Sequence, residues 1–402
     1  MKAFLVCAMA AAAVCWLGSF GHATPSKPSK SSALSSAENS SLQGRRVRIE
    51  LNAFRCVDAD EESAVSDGDE PYLMPVAIFA DGTTINLSNL SAATVRLQRV
   101  NQVHGNLQRK GIFDGNCFLI PTATGRFDAT MQPLTLGSSD LGQCGVLVIA
   151  CEEDGTSDRA INAGYNTLVS SLQTELNAAV RTLSPPDVAQ LTNRIRDRVV
   201  NKIKKETLKR LNVFGIVDPD GFVGSGFSQF TIPQLTAAGE AGVPINFDMR
   251  GDGVRYRIEG RASLFTPIAP RNVNVTIRRI RAIDDLEGFG AGAPDFKARI
   301  GIFGATFTTP ERTGNDIRPN FSFTRTVDSN RVSIAISLVD VDGTSRDDRC
   351  DINPAIGMKD LVLNYNIATG QITGDVTGSR GVEIRARGAG DGNRCEIFFV
   401  VN

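Results

Sequence analysis

From Val47 the chain alternates: Val47, Ile49, Leu51 and Ala53 fall on one side, and Arg48, Glu50 and Asn52 on the other. Successive side chains of a strand point to opposite faces, so this period of two predicts a half-buried β-strand. Val273, Val275 and Ile277 repeat the pattern, as do Val332, Ile334, Ile336 and Leu338. Val382, Ile384 and Ala386 repeat it again and lead through residues 388–392 into a strand over Cys395–Val401, a hairpin pattern. These signals predict a mainly β chain built from antiparallel β-sandwiches.

The middle changes period. Residues 158–183 and 187–211 predict two helices, separated by Ser184, Pro185 and Pro186, where serine caps and proline fits a first turn. In the second, Val188, Leu191, Ile195, Val199 and Ile203 form an apolar stripe beside Arg194, Arg198, Lys202, Lys205, Lys209 and Arg210. A basic amphipathic helix can lie on an anionic membrane or bind a partner. The reading adopted is a helical hairpin, about residues 158–212, docked on the first sandwich with its basic face in solvent.

The N-terminus adds a compartment. Lys2, an uncharged apolar run over residues 3–17, and Gly21, His22 and Ala23 make a secretory signal, with cleavage expected after Ala23. Ala12, Ala13 and Val14 are poor residues before a lipidated Cys15, so lipoprotein anchoring is set aside. The location expected is secreted or periplasmic. No later segment has the ~18 uncharged apolar residues of a membrane-spanning helix. Residues 24–43 are Ser-rich and read as a flexible leader. Residues 44–266 form a first sandwich with the helical insertion, and 267–402 a second.

Six cysteines follow the signal: Cys56, Cys117, Cys144, Cys151, Cys350 and Cys395. An even number in an exported chain predicts disulfides. Cys144 and Cys151 bracket an apolar strand and are too far apart to bond each other. Cys56 and Cys151 each end a strand before an acidic loop, so the expected pairs are Cys56 with Cys151, Cys117 with Cys144, and Cys350 with Cys395. An exchange of partners between the first two pairs stays open.

Lys and Arg number 43 against 44 Asp and Glu, a balance that argues against a nucleic-acid partner. Position changes that picture, because the acids gather in repeated loops. Residues 47–54, an acidic loop, then Asp69, Glu70, Pro71 and Tyr72 match residues 273–280, an acidic loop, then Pro294, Asp295 and Phe296. Glu152, Asp154 and Asp158 match Asp340, Asp342 and Asp348, each string follows an apolar strand, and both copies spell Asp-Gly-Thr-Ser. Asp58 opens the first loop of the first copy and Asp285 that of the second, with Asp284 competing for the role.

With Asp340-x-Asp342 followed by Asp348, a first loop running from Asp285 to Asp295 and Phe296, and Arg318, Pro319, Asn320, Phe321 and Phe323 between them, residues 272–402 resemble the calcium-dependent lipid-binding C2 domain. The first loop is longer than that family's. The first half resembles a divergent copy, with Glu152 in place of an Asp, a shorter gap to Asp158, and Val254–Leu264 as its last strand. The resemblance implies Ca2+ as cofactor and an anionic phospholipid bridged through the metal, with Leu286 and Phe289 in contact with the membrane.

The residues favour calcium on their own account. It takes six to eight hard oxygen ligands at about 2.4 Å in flexible geometry, whereas magnesium keeps its waters. Zinc lacks His and thiolate here. Several carboxylates in one cleft repel each other without a cation. The expected ligands are Asp285, Asp295, Asp340, Asp342 and Asp348 in the second half, and Asp58, Glu70, Glu152, Asp154 and Asp158 in the first.

A hydrolase of the Ser/His/acid type would have only His104 as base after signal removal, with no nucleophile-elbow string. Loop carboxylates would be left to run a secreted hydrolase, the least favoured reading. The preferred one is an exported calcium-binding protein that presents a calcium-dependent surface to a lipid or a surface protein. The alternative is a structural or adhesive protein in which calcium only stabilises the fold.

Overall fold

The computed structural model describes residues 44–59, 69–108, 111–136, 139–152, 158–182, 221–251, 253–286, 292–342, 347–390 and 392–402. The signal, the leader and the second helix of the insertion lie outside them. The chain from Gln43 to Asn402 is one compact unit. Its first half contributes β1 (Arg45–Asp58), β2 (Pro71–Ala80), β3 (Arg96–Arg99), β4 (Cys117–Leu119), β5 (Arg126–Met131), β6 (Gln143–Glu152), β7 (Phe222–Thr231), β8 (Val243–Gly251) and β9 (Val254–Leu264). The order β3-β2-β6-β7 makes one sheet, and β8-β9-β1 makes another, with β4 and β5 along the free side of β1.

The second half contributes β10 (Arg271–Ala282), β11 (Asp295–Ile302), β12 (Ala305–Thr308), β13 (Phe321–Val327), β14 (Arg331–Asp340), β15 (Asp348–Cys350), β16 (Leu361–Asn366), β17 (Gln371–Gly374), β18 (Ile384–Arg387) and β19 (Cys395–Val401). Here β12-β11-β14-β16-β17 is one sheet, with β15 also paired to β14, and β13-β10-β19-β18 is the other. All the ladders between these strands are antiparallel. The two halves share one plan. β1 lies beside β9 as β10 lies beside β19, and β2 lies between β3 and β6 as β11 lies between β12 and β14.

A detail of register carries the repeat further. β1 slips against β9 between Leu51 and Ala53, leaving Asn52 as a bulge, and β10 slips against β19 between Ile277 and Arg279, leaving Arg278. Both residues stand at the same place in the repeat. A bulge adds one residue and reverses the inward phase. The expectation that Ala53 shares a face with Val47, Ile49 and Leu51 is therefore corrected: after the bulge Phe54 and Cys56 enter the core and Ala53 turns to the opposite side. Gly260 permits the bulge, since a Cβ there would meet the Glu50 carbonyl oxygen at 2.2 Å.

Each half has its own core, one drawn from Val47 to Ala262 and the other from Val273 to Val401. A third, smaller cluster joins them: Ala53, Cys117 and Leu119 of the first half against Ala335 and Val362 of the second. The molecule is thus a four-layer stack of sheets. The polar face of β1 meets the second sandwich rather than water, with Arg48 and Glu50 at 3% and 4% exposure. Its charges are matched in place. Arg261 pairs with Glu50 at 2.8 Å, Arg48 with Asp128 at 2.8 Å, and Arg126 reaches across the seam to Asp328 at 2.8 Å.

Hydrogen bonds from Arg126 hold the Asp328 carboxyl below the usual carboxylate range, although burial works against it. A depressed carboxyl contributes stability above its unfolded pKa of ~3.9, and that contribution is lost as pH falls through the lower folded value. Thermal melts from pH 6 to pH 2 should therefore drop less steeply for Asp328→Asn than for the parent. Parallel curves would show that this pair is not linked to stability.

The first inserted helix forms as expected. α1 (Asp158–Arg181) buries Ile161, Tyr165, Leu168, Leu172, Leu176 and Val180, a three-to-four spacing that makes one stripe. The helix lies against β3 and the segment before it. The Tyr165 hydroxyl donates to the Pro75 carbonyl, Val95 N–H donates to Asn177, and Arg181 donates to the Ala93 carbonyl at 2.9 Å. Among the described residues no helix is long and apolar enough to cross a membrane.

Candidate functional site

The acids that open and close the loops are set by strand pairing, and both halves use the same register. In the second half Phe296 pairs with Asp340 and Asp348 also pairs with Asp340, so Asp295, Asp340 and Asp348 meet at one end of a sheet. In the first half Pro71 pairs with Glu152, which places Glu70 against Glu152 as Asp295 is placed against Asp340. Antiparallel pairing of a strand that ends in one acidic loop with a strand that begins after another brings both loops to one end. The alternation of the sequence sufficed for that.

In the second half Asp340 is 1% exposed, and its Oδ1 accepts the Asp295 N–H at 2.6 Å. Asp295 accepts the Thr313 hydroxyl. Asp342 is half-buried and Asp285 exposed. Asp284 is held by Arg394, whose guanidinium and backbone N–H both donate to it, the guanidinium at 2.7 Å. These hydrogen bonds hold the Asp284 carboxyl below its usual range. Asp284 is thereby committed, and Asp285 is left as the loop's solvent-facing acid. Leu286, expected at the membrane, is instead buried in the second core at 9% exposure, because the loop turns inward directly after Asp285. Phe289 lies outside the described residues.

The first half differs in detail. Asp58 is exposed at the end of β1, opposite Arg255. Asp158, the first residue of α1, pairs with His104 Nδ1 at 2.5 Å, which ties the helix start to residues near β3. Asp154 lies outside the described residues. The acid at the centre of this end is Asp69, the neighbour of the expected Glu70. It is fully buried and accepts the Tyr256 hydroxyl at 2.8 Å. Burial and the nearby charges of Asp69 and Glu152 push that hydroxyl well above its usual pKa. The sequence carried a signal for Asp69, which stands in the same string as Glu70, but none for Tyr256.

The two acidic ends face the same way. Asp114 of the first half accepts the Ala59 N–H at 2.7 Å, one residue after Asp58. The same Asp114 lines a cavity of about 320 Å3 with Asp347, Asp348, Arg349 and Lys359 of the second half. The acids at these ends offer hard oxygens, the donor type that suits Ca2+, with Arg349 and Lys359 beside them in the cavity. Among the described residues no group of three or more His, Cys, Asp or Glu side chains is arranged to hold a metal ion. Residues 153–157, 287–291 and 343–346, which complete the loops, lie outside them.

All six described cysteines are free and buried. Cys117 and Cys144 are held apart by the sheet between them, since Cys117 faces the seam beside Met358 and Cys144 faces the first core. Cys151 hydrogen bonds with Tyr72, and burial pushes its thiol up to about 12. Cys350 and Cys395 are in contact with each other.

No family model and no curated protein matches the sequence. Solved structures do. The tandem C2 domains of extended synaptotagmin 2 are 8% identical, over 95% of this chain and 97% of that one, with a TM-score of 0.23. A single C2 domain of plant extended synaptotagmin 1 is 10% identical over 34% of this chain and 97% of that one, at 0.24. Human GIVD cytosolic phospholipase A2 in complex with an inhibitor and terbium chloride is 15% identical over 34% of this chain, at 0.24, and the match spans 18% of that protein's length.

Proposed function

We propose that this protein is an exported calcium-binding protein whose acidic loops hold Ca2+ and present a calcium-dependent surface to a lipid or protein ligand. The observation that carries the reading is the shared register, which puts Glu70 against Glu152 in one half and Asp295 against Asp340 in the other, each pair at a strand end that leads into an acidic loop. Asp285, Asp295, Asp340, Asp342 and Asp348 would hold the ion in the second half. Asp58, Glu70, Glu152, Asp154 and Asp158 are the first-half set, to which Asp69 is added. Bound calcium supplies charge that offsets the repulsion of these carboxylates and a coordination position open to an anionic phospholipid head group.

Burial of Leu286 favours a second reading, in which calcium only stiffens the loop end of a structural or adhesive protein. Calorimetric titration of Ca2+ into the chelated chain tests the metal, and the stoichiometry reports one half or both. At a hundred times Kd, calcium should stabilise by ~2.7 kcal/mol, seen as a raised Tm. Asp340→Asn with Asp342→Asn should remove the second-half share. No heat and an unchanged Tm would sink the calcium reading. Sedimentation with phosphatidylserine vesicles, in calcium and in chelator, then separates lipid capture from stiffening alone.

A further inference from the structure

The seam between the sandwiches holds a second feature, remote in kind from the acidic ends. A cavity of about 250 Å3 opens along it, walled by Asn52, Asn246 and Glu259 of the first half and by Arg331, Ser333 and Asn364 of the second. The bulge of β1 delivers Asn52 to this groove.

The charges there are unequal in their commitments. Glu259 accepts from Arg55 at 2.8 Å, and Glu50, behind the wall, is taken by Arg261 at 2.8 Å. Arg331 differs. Among the described residues its guanidinium makes no ion pair and no hydrogen bond, although Arg261 donates to its backbone carbonyl at 3.2 Å. Burial and the like charge of Arg261 push its pKa down, with Glu240 acting the other way. A half-buried cation beside another cation costs free energy, and a guanidinium fork is built to take an oxyanion. Asn52, Asn246 and Asn364 add amide donors from both walls, the Asn364 side-chain oxygen accepting the Ser333 hydroxyl at 3.5 Å. Donors converging from several directions suit the three terminal oxygens of a phosphate better than the two of a carboxylate. The volume lies below the roughly 300–1,000 Å3 of drug-sized pockets, so the ligand is small.

We propose that the groove is a binding site for a phosphate monoester, held by the Arg331 guanidinium with the seam amides around it. The site involves none of the loop carboxylates, so it stands or falls apart from the calcium reading.

The test is run in EDTA on the full chain, with chloride at matched ionic strength as reference. Three probes are titrated: inorganic phosphate, glycerol 3-phosphate, and vesicles of phosphatidylcholine with one fifth phosphatidic acid. The expected result is saturable binding that Arg331→Gln weakens at least tenfold, that Arg331→Lys retains in part, and that exposed Asn246→Ala weakens a few-fold. Because Arg331 makes no ion pair, Arg331→Gln should melt with the parent in the absence of ligand. Loss of soluble-probe binding in Arg331→Gln assigns a free phosphate ester; loss of vesicle binding alone assigns a lipid head group. Binding of no probe, or binding undiminished in both Arg331→Gln and Asn246→Ala, overturns the proposal.

Discussion

Replacing Arg55 by alanine is expected to destabilise the folded chain by about 3 kcal/mol, at the lower end of the cost of breaking a buried ion pair from one side. Arg55 is 7% exposed, and its guanidinium donates to Glu259 at 2.8 Å, to Asp375 at 3.1 Å and to the Cys117 sulfur at 3.4 Å. Removing it strands Asp375, whose side chain is 16% exposed, on the far side of the seam. The lower figure is chosen because Asp375 keeps the N–H of Val362 and the amide of Asn353 as donors. Arg55→Met keeps the aliphatic packing and should lose nearly as much, while Arg55→Met with Asp375→Asn should recover most of it. Urea unfolding at constant m-value measures all three. A loss under 1 kcal/mol in Arg55→Ala would mean that the apolar contacts of Ala53, Leu119, Ala335 and Val362 hold the sandwiches together without the ion pair.

Oxidised protein should carry a Cys350–Cys395 bridge worth about 4 kcal/mol against the reduced form, on the loop-entropy argument. Both thiols are fully buried, and the hydrogen bond that the Cys350 thiol donates to Cys395, together with burial, raises the Cys350 pKa well above its ordinary value. Thiolate is the attacking species, so the bridge should form slowly in the native chain at neutral pH and readily during oxidative refolding. Peptide mapping under non-reducing conditions identifies it, and the shift in urea midpoint on adding reductant measures it. Alkylation of both cysteines on unfolding oxidised protein without reductant would refute the pairing. The bridge would join β15, which returns from the Asp342–Asp348 loop, to β19, which directly follows the Arg394 clamp on Asp284.

Period and spacing made the strands, α1 and the repeat legible, because alternation and helical stripes are properties of a segment alone. What they missed lies between segments. The bulge at Asn52 was hidden because Ala53 is apolar and fits either face. The seam was hidden because Arg48 and Glu50 fell on the polar side of the alternation, and their burial depends on partners far along the chain. At the site, the string around Glu70 located the first-half end, but the buried acid is its neighbour Asp69, selected by Tyr256 across the sheet. Leu286 read as a membrane contact because it lies on the extended first loop, while two residues before it Asp284 is held by Arg394 from the far end of the half. The unmatched charge of Arg331 had no sequence signal at all, since only the three-dimensional pairing shows which arginines are already taken.

One difference between the halves bears on how copies of the chain can associate. β3 and β12 are the same edge of the repeated plan, each pairing on one side only among the described residues. α1 hydrogen bonds to the backbone beside β3, while β12 shows alternating exposed Thr306 and Thr308 and pairs only with β11. Exposed strand edges template pairing between chains, and the inserted helix leaves the repeated plan with that liability at one copy of this edge rather than two.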